Sequence, residues 1–223
     1  MKKLFLFFCF TILVVIFPSH TTYGQYSKWL KDISYQGIKF KKIRFRIEKA
    51  DTLYNAGILA EKTIIDGYPC HKDVMFSKNW DLKSFILSES DTIAGNVFKK
   101  DTKIFIYKSA GFKMYCLYDP VIQTYRCKGT NYKRFMFMGS TALQLYPGGQ
   151  LKYFQPVKDI EIQGVLCKRS PTWGGIHLYE SGKLKECTSA KDQTIDGVFH
   201  GKNFILKFDE DGNITYSKKE NFF

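Results

Sequence analysis

The sequence predicts an all-β protein assembled from tandem hairpins of about thirty residues each. Two observations predict it: a glycine-centred motif recurs along the chain, and aromatic and β-branched residues flank turn-forming stretches without a long 3.6-residue apolar period after the N-terminal segment. A hairpin of this size cannot bury its own apolar face, whereas stacked hairpins bury it on one another. We therefore expect the units to form an extended sheet or a solenoid-like array.

The first repeated element is a seven-residue motif centred on glycine. Its most similar copies are IQTYRCK (122–128) and IQGVLCK (162–168), and successive copies lie 30, 28, 29, 40 and 33 residues apart. Its apolar residues lie two before the glycine and one and three after it, which does not fit one face of a straight strand. The glycine is thus expected to mark a bulge or bend, where threonine is less well tolerated. The six central residues are Gly37, Gly67, Gly95, Thr124, Gly164 and Gly197.

The second repeated element predicts a tight β-hairpin. LYPGGQLK (145–152) and LYESGKLK (178–185) are near copies, in which apolar residues flank a turn that contains glycine. MFSKNWDLK (75–83) and KFDEDGNI (207–214) are looser copies, with Trp80 at the glycine position of the first. Trp80 in this turn and Trp173 in SPTWGG (170–175) are expected either to be exposed to solvent or to pack over neighbouring units. We interpret the DEDGN stretch (209–213) as a turn rather than a calcium loop, because Lys207 and Lys218 occupy the positions where a calcium loop needs carboxylates.

These hairpins resemble MORN-type repeats and the related repeats of YwqK-like bacterial proteins. The shared features are an aromatic residue, a turn that ends in glycine, and a hydrophobic residue after it. The resemblance implies an elongated β-repeat scaffold that binds a partner and has no catalytic residues of its own. The residues that carry it are Tyr146, Gly149 and Leu151, and Tyr179, Gly182 and Leu184.

Residues 1–24 have the layout of a secretory signal peptide. Lys2 and Lys3 precede an apolar run from Leu4 to Phe17, and this run is shorter than the roughly 20 residues that cross a bilayer as a helix. We expect cleavage before Gln25, which leaves 25–223 as a single β-repeat domain without a transmembrane span. The mature protein is predicted to be exported, either to the periplasm or to the extracellular space and cell surface.

The chain is basic, and its basicity favours anionic partners. The formal net charge of +13 falls to +11 when Lys2 and Lys3 are removed. An anionic envelope component, such as a lipid or lipopolysaccharide, suits this charge, and a protein partner remains open. Nucleic acid is not expected for an exported protein. A solvated basic surface that serves solubility is an equally good interpretation, because the lysines are spread along the chain.

Three of the cysteines share one repeat position. Because other units have phenylalanine there, we expect this position to be buried and the cysteine to act as a small hydrophobic residue. Disulfides between Cys116 and Cys127, or between Cys167 and Cys187, remain the alternative in an oxidising compartment. The occupants of the position are Cys70, Cys127 and Cys167, with Phe40, Phe98 and His200 in the other units.

The sequence predicts no catalytic residues, metal site or cofactor. Its three histidines after residue 24, His71, His177 and His200, fall at three different repeat positions, and no nucleophile, zinc or phosphate-loop motif occurs.

Three functions remain open. The first is a non-enzymatic binding or scaffolding module of the bacterial envelope, which requires a long basic or aromatic surface without a deep polar pocket. The second is an envelope-polymer hydrolase, which requires carboxylates, or a histidine and a carboxylate, to converge in a cleft. The third is a lipid or lipopolysaccharide carrier, which requires an apolar groove rimmed by lysines.

Overall fold

The computed structural model describes residues 25–26, 28–47, 54–130, 143–169 and 174–219. Within these ranges the chain forms strands and turns without a helix, so none of the described residues belongs to a helix that could span a membrane. The predicted all-β class and the tandem hairpins are confirmed. The predicted signal peptide, residues 1–24, lies outside the described ranges.

The strands are numbered in chain order. They are β1 (Gln25–Tyr26), β2 (Leu30–Tyr35), β3 (Ile38–Arg44), β4 (Arg46–Ile47), β5 (Tyr54–Leu59), β6 (Thr63–Ile65), β7 (Tyr68–Ser77), β8 (Leu82–Leu87), β9 (Asp91–Ile93), β10 (Asn96–Phe98), β11 (Lys103–Tyr107), β12 (Gly111–Tyr115), β13 (Val121–Ile122), β14 (Tyr125–Arg126), β15 (Leu143–Leu145), β16 (Leu151–Phe154), β17 (Ile160–Ile162), β18 (Val165–Cys167), β19 (Ile176–Leu178), β20 (Leu184–Thr188), β21 (Gln193–Ile195), β22 (Val198–His200), β23 (Phe204–Phe208) and β24 (Ile214–Lys219).

Most of these strands form one long antiparallel sheet, which we call the main sheet. Its strands follow one another in the order β2-β3-β5-β7-β8-β11-β12-β15-β16-β19-β20-β23-β24, so each strand pairs with its neighbours along the chain. Between the main-sheet strands lie short two-stranded hairpins, namely β6 with the start of β7, β9–β10, β13–β14, β17–β18 and β21–β22. We call these the small hairpins.

The glycine-centred motif forms the turns of these hairpins, which corrects the predicted bulge. Asp66 and Gly67 both have positive φ, +50° and +83°, as a two-residue type I′ turn requires. Ile162 and Val165 are cross-strand partners in the equivalent hairpin, and therefore point to the same face. The chain reverses at the glycine, and this reversal produces the change in apolar spacing. The first unit differs, because its turn at Gln36 and Gly37 joins two main-sheet strands.

Thr124 is accommodated by a different turn. Of the two central residues of this hairpin, only Gln123 has positive φ (+54°), whereas both have it in the glycine-containing units. This is the pattern of a type II′ turn, which does not need left-handed backbone at its second central residue. The expected cost of threonine at this position is therefore avoided.

The small hairpins cover one face of the main sheet, and the core lies between the two layers. The Tyr68 ring stacks on Phe85 of the sheet at a centroid distance of 4.8 Å, and the Tyr125 ring lies 5.1 Å from Phe154. Residues from both layers belong to one hydrophobic cluster. We call the covered side of the sheet the hairpin face. Its fully buried members include Phe40, Phe76, Phe85, Ile104, Met114, Leu145, Phe154, Ile176 and Leu206.

The second repeated element forms the turns of the main sheet. The Tyr146 amide donates to Gln150 O at 2.8 Å and the Gly149 amide donates to Tyr146 O at 2.9 Å. The corresponding bonds at Tyr179 and Gly182 are 2.8 and 2.9 Å. The two copies thus form the same turn. The DEDGN stretch forms a turn of this kind between β23 and β24, as predicted.

Trp80 occupies the glycine position of its turn and has φ +66°. Its ring packs 4.4 Å from Tyr35 and 5.2 Å from Phe76, measured between centroids. These contacts offset the strain of left-handed backbone at a bulky residue. Of the two interpretations of this ring, solvent exposure or packing over neighbouring units, the structure shows packing. Trp173, for which the same two interpretations were open, lies outside the described residues.

Hydrogen bonds from turn tyrosines join consecutive units. The Tyr146 hydroxyl donates to Leu178 O at 3.0 Å, and the Tyr179 hydroxyl donates to Phe208 O at 2.8 Å. Each tyrosine therefore satisfies a strand-end carbonyl of the next main hairpin. This explains why the two copies keep the tyrosine.

Candidate binding face

The second face of the main sheet carries a continuous row of cross-strand partners. Partners in register point to the same face, so the row can be followed from β3 to β24. It crosses twelve strands, which corresponds to roughly 50 Å at a strand spacing of about 4.8 Å. The row consists of Arg44, Ala56, Met75, Ser84, Phe105, Lys113, Gln144, Tyr153, His177, Glu186, Lys207 and Tyr216.

Shorter rows run beside it on the same face. They are Lys31, Lys42, Ile58 and Asp73; His71, Ile86, Lys103 and Tyr115; and Thr188, Ile205 and Lys218. Together with the long row they define what we call the ladder face.

The ladder face is rich in cations. Among its members as defined above, Asp73 and Glu186 are the acids, and Glu186 is already paired, with its Oε2 lying 3.3 Å from Lys207 Nζ. The cations are Lys31, Lys42, Arg44, Lys103, Lys113, Lys207 and Lys218. Cations therefore outnumber acids on this face, with seven cations against two acids.

Aromatic rings accompany these cations. At the N-terminal end, the Trp29 ring lies 5.0 Å from Lys42 Nζ and 4.7 Å from Arg44 Cζ. At the other end, Lys207 Nζ lies 5.6 Å from the Tyr216 ring, which is 42% exposed. Cation–π contacts orient the ammonium groups without neutralising them. The face therefore presents cations beside aromatic rings at both of its ends.

A second set of these contacts lies where the strands resume after the main-sheet turns. Lys152 Nζ lies 5.2 Å from the Tyr146 ring, and Lys185 Nζ lies 5.0 Å from the Tyr179 ring. The register shifts at both places, which accommodates one extra residue in the strand. The lysine that follows the leucine shared by these two copies of the second element thus lies against the ring of the turn tyrosine.

His177 lies at the centre of the C-terminal part of the ladder face. Its ring centroid is 4.6 Å from that of Tyr153, and its cross-strand partner is Glu186. Burial lowers the pKa of His177, which Glu186 partly offsets, and burial raises the pKa of Tyr153 to about 12. At neutral pH both groups are therefore uncharged. Glu186 is the one carboxylate in this part of the described row, and it is paired with Lys207.

A second histidine and carboxylate meet at the end of the small hairpin β6–β7. His71 Nε2 lies 3.0 Å from Asp101 Oδ1, without the alignment of a hydrogen bond, and Lys72 Nζ donates to the same oxygen at 2.9 Å. Burial lowers the pKa of His71, and the bond from Lys72 lowers the pKa of Asp101. Asp101 is therefore the partner of Lys72, and the contact links one unit to the next. The described residues contain no group of three or more potential metal ligands.

A shallow groove of about 430 Å³ opens on the ladder face between β7, β8, β11 and the turn that follows β11. Met75 and Phe105 form part of its floor, and Lys83 and Lys108 lie at its rim. Deeper in this part of the face, Lys103 is 7% exposed and burial lowers its pKa. The groove therefore places apolar side chains next to lysine ammonium groups.

The residues singled out by the repeat lie away from the ladder face. Gly37, Gly67, Gly95, Gly164 and Gly197 lie in turns with positive φ, as do Gly149 and Gly182. Cys70, Cys127 and Cys167 are buried in the core, and Tyr146 and Tyr179 begin main-sheet turns. These positions build the scaffold. The ladder-face residues were missed because their alignment depends on pairing between strands that lie far apart in sequence.

Comparisons with protein-family models, with curated proteins and with solved structures found no match for this chain.

Proposed function

We propose that this protein is an exported, non-enzymatic β-repeat module of the bacterial envelope that binds a linear anionic glycan, of the lipopolysaccharide class, along its ladder face. The observation that carries the proposal is the excess of cations, interleaved with aromatic rings, on one face that extends across twelve strands. The basic composition and the signal-like N-terminus support the same function.

The physical basis is the summation of weak contacts. An exposed ion pair contributes only about 0–1 kcal/mol, so a single lysine gives little affinity. A chain that crosses the strands meets several cations in succession, and contacts linked within one chain reinforce each other through effective concentration. Binding of this kind weakens as salt rises, because exposed charges are screened within about 8 Å at physiological ionic strength.

The test is binding of the mature protein to lipopolysaccharide, with the neutral glucan dextran as a control ligand. Wild type is expected to bind the first and not the second. The double variant Lys113→Glu/Lys207→Glu should lose at least tenfold in affinity, since it reverses two charges in the long row. The matched control is Lys62→Glu/Lys191→Glu, which makes the same change of net charge at exposed positions away from the ladder face.

Equal losses in the two double variants would show that net charge alone drives binding, and the ladder face would then not be the site. Binding of dextran with similar affinity would remove the requirement for an anionic ligand. When binding is measured at increasing salt concentration, wild type should lose more affinity than Lys113→Glu/Lys207→Glu.

The groove around Met75 and Phe105 favours a second candidate function, that of a carrier for a single acyl chain with an anionic head group. The mixture of apolar floor and lysine rim supports it. The variant Met75→Glu should then abolish binding of a single-chain anionic lipid such as lysophosphatidic acid, while it weakens binding of a delipidated glycan less than Lys113→Glu/Lys207→Glu does. If both ligands bind Met75→Glu as well as wild type, the carrier function is wrong.

A further inference from the structure

The buried cysteine position of the small hairpins contacts a second fixed position of the repeat. This second position is the fourth residue of the main-sheet strand that follows the next main-sheet turn, namely β8, β16, β20 or β24. In the last unit the two positions are His200 and Ser217, and His200 Nδ1 lies 2.8 Å from Ser217 Oγ. In the unit before it, the same two positions are Cys167 and Cys187.

The local geometry of this cysteine is the same in three units. The thiols of Cys70, Cys127 and Cys167 each donate to the carbonyl two residues earlier, at 3.3, 3.5 and 3.5 Å. What differs is the residue at the second position. Phe85 is found there in the unit of Cys70 and Phe154 in the unit of Cys127, and each of these rings packs against a tyrosine of the small hairpin.

In the fourth small hairpin the stacked rings are absent from the two equivalent positions. Val165 replaces the tyrosine and Cys187 replaces the phenylalanine, so two small side chains occupy the space. Backbone bonds hold the strands together here, since the Lys168 amide donates to Thr188 O at 2.7 Å and the Ala190 amide donates to Leu166 O at 2.9 Å. Both cysteines are free in this structure, and their thiols are close enough for an interaction between them to raise the pKa of Cys167.

We infer that Cys167 and Cys187 form a disulfide when the protein folds under oxidising conditions, and that this bond fastens the fourth small hairpin to the main sheet. In the units of Cys70 and Cys127, a tyrosine ring of the small hairpin packs on a phenylalanine ring of the main sheet instead. The inference does not depend on the ligand of the ladder face, because it concerns the opposite side of the sheet.

The chemistry is thiol–disulfide exchange with a small disulfide oxidant such as glutathione disulfide. The thiolate of one cysteine attacks the oxidant, giving a mixed disulfide and one reduced glutathione, and the second thiolate then displaces the other. Two electrons pass to the oxidant, its S–S bond breaks, and the two thiol protons end on the two glutathione thiols.

The burial of the two thiols determines at which stage of folding the disulfide can form. Cys167 is 0% and Cys187 1% exposed, and the interaction between them, together with burial, raises the pKa of Cys167. A buried, protonated thiol reacts slowly. The bond is therefore expected to form while the chain folds, before the small hairpin docks, and to resist reduction afterwards.

The test is to refold the denatured, reduced mature protein with glutathione disulfide, block the remaining thiols, and digest with trypsin without reduction. The expected product joins the peptide 159–168 to the peptide 186–191. Cys70, which faces Phe85, is expected to be blocked as a free thiol. Oxidised wild type should unfold about 5–10 °C higher than its reduced form, as expected for a bond that closes a loop of this length.

The variant Cys187→Val should remove both the linked peptide and the shift in Tm, whereas Cys70→Val should keep both. The inference is overturned if all five thiols of the mature chain are blocked in refolded wild type, or if Cys167 or Cys187 is joined to another cysteine instead. The peptide map of wild type decides this even if a variant does not fold.

Discussion

The two faces of the main sheet are made from the same strands and yet differ in almost every physical respect. On the hairpin face, side chains such as Phe85 and Phe154 are fully buried under the small hairpins. On the ladder face, Phe105 and Lys113 are half-buried and Lys207 and Tyr216 are exposed. The hairpin face thus contains the apolar core, whereas the ladder face combines buried residues with exposed charges and rings.

The largest expected effect compares a phenylalanine from each face. Phe154→Ala should lower the free energy of unfolding by about 3–5 kcal/mol, because it opens a cavity in the core beside Tyr125. Phe105→Ala should cost about 1–2 kcal/mol, because solvent already reaches that ring. Urea unfolding of the two variants measures both losses in the free energy of unfolding. Equal losses would mean that the ladder face is as much a part of the core as the hairpin face.

The next comparison uses the glycines of two equivalent turns. Gly149 has φ +89°, and an added Cβ would lie too close to Ala94 O to be accommodated without movement, whereas Gly182 has φ +82° and nothing within 4 Å of such a Cβ. Gly182→Ala should cost about 1 kcal/mol for left-handed backbone alone. Gly149→Ala should cost about 2–4 kcal/mol, since the turn must also separate from the small hairpin. Similar losses would show that the contact with Ala94 contributes nothing.

A smaller effect concerns the hydrogen bonds between units. Tyr146→Phe and Tyr179→Phe should each lower stability by about 1 kcal/mol, because each removes a hydroxyl that satisfies a carbonyl of the next unit. Tyr107→Phe is the control, since Tyr107 is exposed at the end of β11. Thermal unfolding of the three variants makes the comparison, and a loss of stability for Tyr107→Phe alone would contradict it.

The smallest effect is a pH dependence that originates on the ladder face. The pKa of folded His177 is lowered below its ordinary value of 6.5, so the unfolded chain binds a proton first as the pH falls. The stability that neutral His177 contributes is present above about pH 6.5 and is lost below it. Between pH 7.5 and pH 5, the Tm of wild type should therefore fall more than the Tm of His177→Gln. Parallel Tm curves for the two proteins would rule out this contribution.

Particular residues show which features of the fold sequence patterns predict and which they do not. The near copies at Tyr146 and Tyr179 predicted main-sheet turns, and the structure contains both. The motif around Gly164 located a turn but was interpreted as a bulge, because a spacing of apolar residues does not say whether the chain continues or reverses. Whether Trp80 is exposed or packed was left open, because its contacts with Tyr35 and Phe76 come from units that a single repeat does not include.

The sequence by itself determined that the protein is built of repeated hairpins, where the hairpins at Tyr146 and Tyr179 turn, and that Cys70, Cys127 and Cys167 share one position. These features depend on neighbouring residues, and local backbone preferences are sufficient to define them. Only the tertiary structure decided that Lys113 and Lys207 belong to one cationic face and that Cys187 lies against Cys167. The register between distant strands sets these contacts, and a shift of one residue would turn each side chain to the opposite face.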